Sequence, residues 1–366
     1  MRRRARHVLL FITVFLAWGG LFEAALRQWG SSEAAPAFQG LFTGDPLIGY
    51  RLNPGARTRF STSEFDTNIA INHQGVRDDQ EIGSKRAQET RIAVLGDSLV
   101  LSVQVPFETT FTEQLERALN NGRGDGETSY RVINAGVQGY GPVEELLFFR
   151  QVVRALQPDV VLVTVFVGND AEEALGSRSK LSSGQTQAFR DSLMTRMRRV
   201  VRRSMVLQVL RLRVLAATDR FRTRSGPPEP PLQTYAARPA PRIADGIALT
   251  RDVLSQLAAE ARNAGARTGI ILMPARFQID DTDYGHLREI VAQAGGELVR
   301  DAATERFAAA LGDLELPVID LLPVLRQAKR GPGLFFDENV HLTPRGHEVV
   351  SQALVPFVRD RLLTRH

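Results

Sequence analysis

The 366-residue chain contains no cysteine. That excludes disulfides, thiolate catalysis and cysteine-based zinc sites, and it permits an oxidising compartment without requiring one. Lysine is nearly missing as well: Lys85, Lys180 and Lys329 are the only three among 46 basic residues. The net charge of +5 and the pI near 9.9 are therefore carried by arginine. These arginines are not interleaved with aromatic residues, and no nucleic-acid-reading motif accompanies them, so nucleic acid is not an expected partner. Histidines and carboxylates never stand at metal-ligand spacing, and no metal or other cofactor is expected. No internal repeat is visible. Hydrophobic residues at 43% and charged residues at 24% are the proportions of an ordinary globular chain, enough for a sizeable core.

Arg2, Arg3, Arg4 and Arg6 precede an apolar run over 8–22, which Glu23 interrupts before apolar residues resume to Leu26. A transmembrane helix needs about 20 apolar residues, and 8–29 barely reaches that with Glu23 and Arg27 inside. A cleaved signal peptide needs a small-x-small site. Ala24 and Ala25 are there, but Glu23 and Leu26 spoil the pattern. The balance favours a signal anchor within residues 1–29 over a cleaved signal peptide. Either way the arginines stay cytoplasmic and the remainder crosses. The expected location is the cell membrane, single-pass through this N-terminal helix, with residues 30–366 extracytoplasmic; a secreted or periplasmic protein is the alternative.

Residues 30–90 are expected to form a linker followed by a strand or hairpin extension, from small polar residues over 30–40 and alternation over 65–71. A regular pattern then begins. Strands are predicted over 91–95, 130–134, 160–167, 268–273 and 317–321. Helices are predicted over 109–119, 142–156, 244–264 and 302–311, and after the Thr343-Pro344 cap. The uninterrupted apolar run 160–167 marks a parallel strand covered on both faces. Strands alternating with helices predict a three-layer, doubly wound α/β domain over 91–366, with ligands beyond the carboxyl ends of a parallel sheet. Residues 176–242 break the rhythm, with an arginine-dense helical stretch at 190–215 and a proline-rich one at 226–241. They are expected to be an insertion between the third and fourth core strands. Its helix either packs one apolar face on the core or rests on an anionic surface.

Four short blocks fall where such a fold would gather them: Gly96-Asp97-Ser98 after the first core strand, 134–139 after the second, Gly168-Asn169-Asp170 after the third, and 337–341 before the last helix. Each residue type suits acyl transfer. A serine on a strand-to-helix turn presents its hydroxyl beside a free backbone N–H, and it needs a base, for which histidine is the natural group near neutral pH. A tetrahedral intermediate needs donors aimed at its oxyanion. The N–H groups of Ser98 and Gly139 and the side-chain amide of Asn169 offer three.

Together the blocks resemble the four-block pattern of the SGNH (GDSL-like) hydrolases, over residues 91–359. The resemblance implies a flavodoxin-like sheet and activity as an esterase, lipase, thioesterase, deacetylase or O-acyltransferase. It implies Ser98 as serine nucleophile, Ser98, Gly139 and Asn169 as the oxyanion hole, and His341 as base. The segment before the first block, DPLIGYRLNPG to INHQGVRD, resembles that of membrane-anchored bacterial members often tied to envelope or exopolysaccharide acylation. One position departs from the pattern. The family's acid stands three residues before the histidine, where this chain has Glu338, while Asp337 stands four before. The Phe335-Phe336 pair packing into the core would set the register, and Asp337 is preferred as the acid, with Glu338 the alternative.

Other polar residues have plainer roles. Asp97 and Asp170 read as turn residues bonded to backbone. His347 reads as structural, and His73 and His286 as surface. Arg77 is either a partner of Asp78 or Asp79 or part of the site lining. The expected activity is hydrolysis of acyl esters, O-acetyl groups on an extracytoplasmic carbohydrate in particular, so that an acyl ester and a polysaccharide are the expected partners. An O-acyltransferase of an envelope glycan is the alternative enzyme, and a non-catalytic glycan-binding scaffold the alternative of another class.

Overall fold

The structure, a computed structural model, describes residues 40–124, 127–182, 231–329 and 333–364. The expected membrane segment at 1–29, the linker to residue 39 and residues 183–230 of the insertion expected over 176–242 lie outside the described residues. Among the described residues no helix is long and apolar enough to cross a membrane.

Two antiparallel hairpins come first: β1 (Phe42–Asp45) with β2 (Gly49–Leu52), and β3 (Arg57–Ser61) with β4 (Asp66–Ala70). Five parallel strands follow, β5 (Glu89–Gly96), β6 (Ser129–Gly136), β7 (Val160–Phe166), β8 (Arg267–Met273) and β9 (Val318–Asp320). Their order across the sheet is β6-β5-β7-β8-β9. The first strand of the sheet lies inside the second, which is the flavodoxin-like, doubly wound arrangement. All five strands read from the sequence are present.

The period-2 alternation of a strand divides the core into two layers. Ala93, Leu95, Val161, Val163, Ile270 and Leu272 face one side, where α3 (Pro142–Gln151), α5 (Pro241–Asn263) and α8 (Ala302–Leu311) contribute to the core. Ile92, Val94, Val160, Leu162, Ile271 and Met273 face the other. There α1 (Ser98–Leu101), α2 (Phe111–Asn120), α9 (Leu322–Ala328) and α10 (Pro344–Val358) contribute. On the first side stand also α4 (Asp170–Ser177), and two helices, α6 (Arg276–Ile279) and α7 (Asp281–Gln293), follow β8.

Several elements differ from expectation for local reasons. The helix read over 142–156 stops at Gln151, and Val153–Leu156 forms a separate tight turn. The β-branched pair Val152-Val153 is poorly suited to continue a helix. Helix α7 carried no signal because Val291 is its one buried residue, so no apolar stripe marks it. Within the proline-rich stretch Tyr235 is fully buried and meets Phe277 edge-on at 4.7 Å between ring centroids, which ties the end of that stretch to the core.

Candidate active site

The sheet reverses direction of winding between β5 and β7, and side chains at their carboxyl ends converge there. Ser98 is the first residue of α1, immediately after the β5 turn. Asp97 Oδ1 accepts the N–H of Leu99 at 2.8 Å and caps this helix, so the aspartate is the backbone-bonding turn residue expected of it. Close packing fixes where the turn sits. A Cβ at Gly136 would lie 2.3 Å from the backbone nitrogen of Leu101, so only glycine lets β6 pass so near α1.

His341 is brought from the far end of the sequence. Its Nε2 lies 2.8 Å from Ser98 Oγ, across 243 residues of chain. The loop that carries it is pinned on both flanks. Phe335 bridges to Leu342, Phe336 N–H donates to His341 O at 3.1 Å, and Arg276 Nη1 donates to the carbonyls of Phe336 and Asp337, both at 2.7 Å. Arg276 is itself held by an ion pair to Asp283. The phenylalanine pair splits its work: Phe335, half-buried, packs on the second core layer, and Phe336 packs on Phe65 of the extension at 5.3 Å.

Neither carboxylate expected to serve His341 touches it. Glu338 turns to the β3–β4 hairpin, where its N–H donates to Glu64 Oε1 at 2.9 Å and its Oε2 accepts from Ser63 Oγ at 3.2 Å. Asp337 is exposed, and its contribution to the loop is its carbonyl, taken by Arg276. The ring partner is Asn339. Its Oδ1 accepts the His341 backbone N–H at 3.2 Å and also meets Nδ1 of the ring. The backbone group can only donate, so the amide oxygen must face it, and Nδ1 then carries the proton. Nε2 is left unprotonated toward Ser98, the tautomer a general base needs. The preference for Asp337, and the alternative Glu338, are corrected here because a two-residue step folds the Asn339 amide back over the ring like an Asx turn. Burial, with no ion-paired carboxylate to offset it, pushes the His341 pKa down to about 4.

Asn169 stands in the turn after β7 as the N-cap residue of α4. Its Nδ2 donates to Glu173 Oε1 at 2.8 Å, which leaves its second N–H available. Gly139 lies in the loop after β6 with φ +68°, at the same rim. It does not line the cavity in which Ser98, Asn169 and His341 stand. The Gly139 loop is supported from the extension: Tyr50 hydroxyl donates to Gln138 O at 2.6 Å, and the Tyr140 hydroxyl donates to Tyr50 O.

That cavity has a volume of about 530 Å³. Leu99, Phe166, Pro274, Phe277, Leu287 and Val340 give it apolar walls, and His286, exposed as expected, stands at its rim. Arg77 is buried but not part of the lining. Its guanidinium donates to the carbonyls of Leu101, Ser102 and Val105, clamping the end of the Ser98 helix, and burial lowers its pKa to about 10. Asp78 pairs instead with Arg131. His347 is structural, as expected: its Nδ1 accepts the Phe111 N–H at 3.2 Å within the core.

Sequence reasoning missed Asn339, Tyr50 and Arg276. Asn339 was legible only as the residue two before the histidine. The other two act through loops distant in sequence and carried no local signal.

No protein-family model matches the chain, and no curated protein matches it. Solved structures do. TesA is 12% identical over 75% of this chain and 100% of its own, with a TM-score of 0.42. A putative lipolytic protein of the G-D-S-L family from Desulfitobacterium hafniense is 11% identical over 73% and 99%, at 0.38. Axe2, an acetylxylan esterase from Geobacillus stearothermophilus, is 13% identical over 76% and 96%, also at 0.38.

Proposed function

We propose that this chain is a serine esterase of the SGNH type, cleaving acyl esters through Ser98, His341 and Asn339. The observation that carries the reading is the 2.8 Å approach of His341 Nε2 to Ser98 Oγ at the wall of a cavity. Ser98 Oγ attacks the acyl carbonyl while its proton passes to Nε2. The oxyanion that forms takes N–H donors from Ser98 and Asn169, with Gly139, at the same rim, as the third expected donor. On collapse, Nε2–H protonates the departing alkoxide, and the acyl group remains on Ser98. A water molecule, deprotonated by the same nitrogen, then attacks the acyl-enzyme; as the acyl–Oγ bond breaks, Nε2–H returns the proton to Ser98 Oγ and the carboxylic acid leaves. Asn339 holds the ring in the required tautomer throughout.

The preferred substrate is an O-acetyl group on an extracytoplasmic carbohydrate, reached by a domain anchored through residues 1–29. The arginine-flanked apolar run supports the anchoring. The apolar walls around Phe166, Pro274, Phe277 and Val340 support an acyl group or a sugar face as occupant. A purified full-length chain should hydrolyse p-nitrophenyl acetate and an acetylated oligosaccharide. Ser98→Ala should lose about a thousandfold or more, because nucleophile and base act as a unit. Equal rates for wild type and Ser98→Ala, together with no labelling of Ser98 by a fluorophosphonate, would return the chain to the scaffold class.

A further inference from the structure

Behind Asn169 the chain buries more acid than it pairs with base. Asp97 comes from the β5–α1 turn, Glu144 and Glu145 from α3, and Asp170 and Glu173 from α4. The first four are buried and Glu173 is half-buried. Among the described residues Lys180 pairs with Glu144, while Arg242 pairs with Glu172 on the outer side of α4. Tyr50 of β2 faces Glu144 and Glu173, its own proton donated to Gln138 O. Asp97 and Asp170 each accept one backbone N–H, from Leu99 and Phe166. Among the described residues both oxygens of Glu145, Oε2 of Glu144 and Oε2 of Glu173 have no partner. The groups do not converge as cation ligands would. Burial alone pushes Asp97 up to about 6; burial with repulsion from neighbouring carboxylates pushes Glu145 and Asp170 well above the usual carboxylate range and Glu173 to about 7.

The unpaired atoms locate one of the protons. Asn169 Nδ2 donates to Glu173 Oε1 at 2.8 Å. Asn169 Oδ1 and Glu173 Oε2 are both buried and both lack a donor. An amide and a carboxyl are planar forks of matching span, and here one pair of tips is bonded while the other two tips are acceptors. A proton on the carboxyl is what joins two acceptors.

We propose that Glu173 is a positioning residue carried as the neutral acid: its Oε2–H donates to Asn169 Oδ1 while Asn169 Nδ2–H donates to Oε1, and this two-bond clamp aims the second Nδ2–H at the oxyanion of the Ser98 adduct. The inference rests on Ser98 being the nucleophile of an acyl-transfer centre. Asp97 and Glu144 keep the proton on Glu173, since each nearby negative charge opposes a further ionisation. Ionised Glu173 can only accept. Asn169 Oδ1 then has no donor, the carboxylate competes for both N–H groups, and the oxyanion loses a ligand.

The test measures kcat and KM for p-nitrophenyl acetate across the neutral range, on the full-length wild type, Glu173→Gln and Glu173→Ala. Wild-type kcat should fall as pH rises through about 7, with KM little changed. Glu173→Ala should lose roughly 10- to 100-fold in kcat, less than the roughly 100- to 1000-fold loss on deleting an oxyanion donor outright. Glu173→Gln presents the same fork permanently, its amide oxygen accepting and its N–H donating. It should recover most of what the alanine variant loses and abolish the alkaline fall. A wild-type kcat that stays flat, or a glutamine variant that keeps the alkaline fall or drops as far as alanine, overturns the proposal. The infrared C=O stretch of a protonated carboxyl gives a readout independent of turnover: one such band should be lost from wild type to Glu173→Gln on the acid side. A wild type without esterase turnover refutes the acyl-transfer reading; the band then still decides the clamp, its loss in Glu173→Gln supporting it and its absence from wild type overturning it.

Discussion

Replacing Asn339 with aspartate should make the enzyme faster and move its acid limb upward. Asn339 Oδ1 accepts the backbone N–H of His341 and faces Nδ1 of the ring. Aspartate keeps that oxygen and adds a negative charge beside a ring that becomes positive in the transition state. At roughly 4 Å and an effective dielectric near 20, two unit charges attract by about 4 kcal/mol. Part of that is lost in desolvating the new carboxylate. A hydrogen bond to a charged group exceeds a neutral one by about 1–1.5 kcal/mol, which is the net gain to expect in a half-buried loop. About 1.4 kcal/mol is one pH unit on the ring, raising His341 from about 4 to about 5. The same energy applied to the imidazolium of the transition state is about tenfold in kcat/KM. The assay is kcat/KM for p-nitrophenyl acetate against pH. Wild-type activity should rise with pH through about 4 as the base deprotonates, then hold until the neutral range. Asn339→Asp should shift that limb upward by about one unit and raise the plateau. An unchanged limb and plateau would refute the reasoning. It would mean that another group, Asp337 or Glu338, reaches the ring in the working enzyme, and Asp337→Asn would then be the variant that loses activity.

Other perturbations test the supports. Arg276→Leu frees the carbonyls of Phe336 and Asp337 from the His341 loop, and kcat should fall about tenfold, with a smaller change in folding free energy measured by urea titration. Arg77→Met leaves three buried carbonyls at the end of the Ser98 helix without their donor and should cost about 3 kcal/mol or more in the same titration; an unchanged midpoint would show that the clamp is dispensable. Tyr50→Phe removes the hydroxyl held on Gln138 O, with an expected loss of about 1 kcal/mol in stability and a few-fold lower kcat if the Gly139 loop serves the oxyanion. Stability should also depend on pH. Glu173 and Glu113 have folded pKa values raised by burial from 4.5 to about 7, so the folded state holds protons that the unfolded state releases. Their contribution is complete below about 4.5 and lost as pH rises to about 7, so the thermal midpoint should drop over that window, and less so in Glu173→Gln.

The sequence by itself determined the sheet. The run Val160–Phe166 has no polar residue but Thr164 and could only be a strand covered on both sides. Alternation with helical periods set a doubly wound layering, and glycine-bearing turns after the strands put Ser98, Gly139 and Asn169 at one rim. These features follow from local rules, the period of a strand and the chemistry of a turn, which act within a few residues. The tertiary structure decided which groups touch. Asn339 rather than Asp337 meets the ring because the loop is folded by Arg276 and by Phe65 of a hairpin some 270 residues earlier, contacts with no local trace. The role of Tyr50 and Arg77 likewise needed the extension to dock against the loops after β5 and β6. The acidity behind Asn169 was invisible too. In a linear reading Asp97 and Asp170 are turn residues bonded to backbone and Glu145 and Glu173 carry no signal; only packing three elements together removes their water and forces them to share protons. A pattern of residue types fixes where backbone can go; the energy of a side chain depends on its dielectric and its neighbours, and those exist only once the chain has folded.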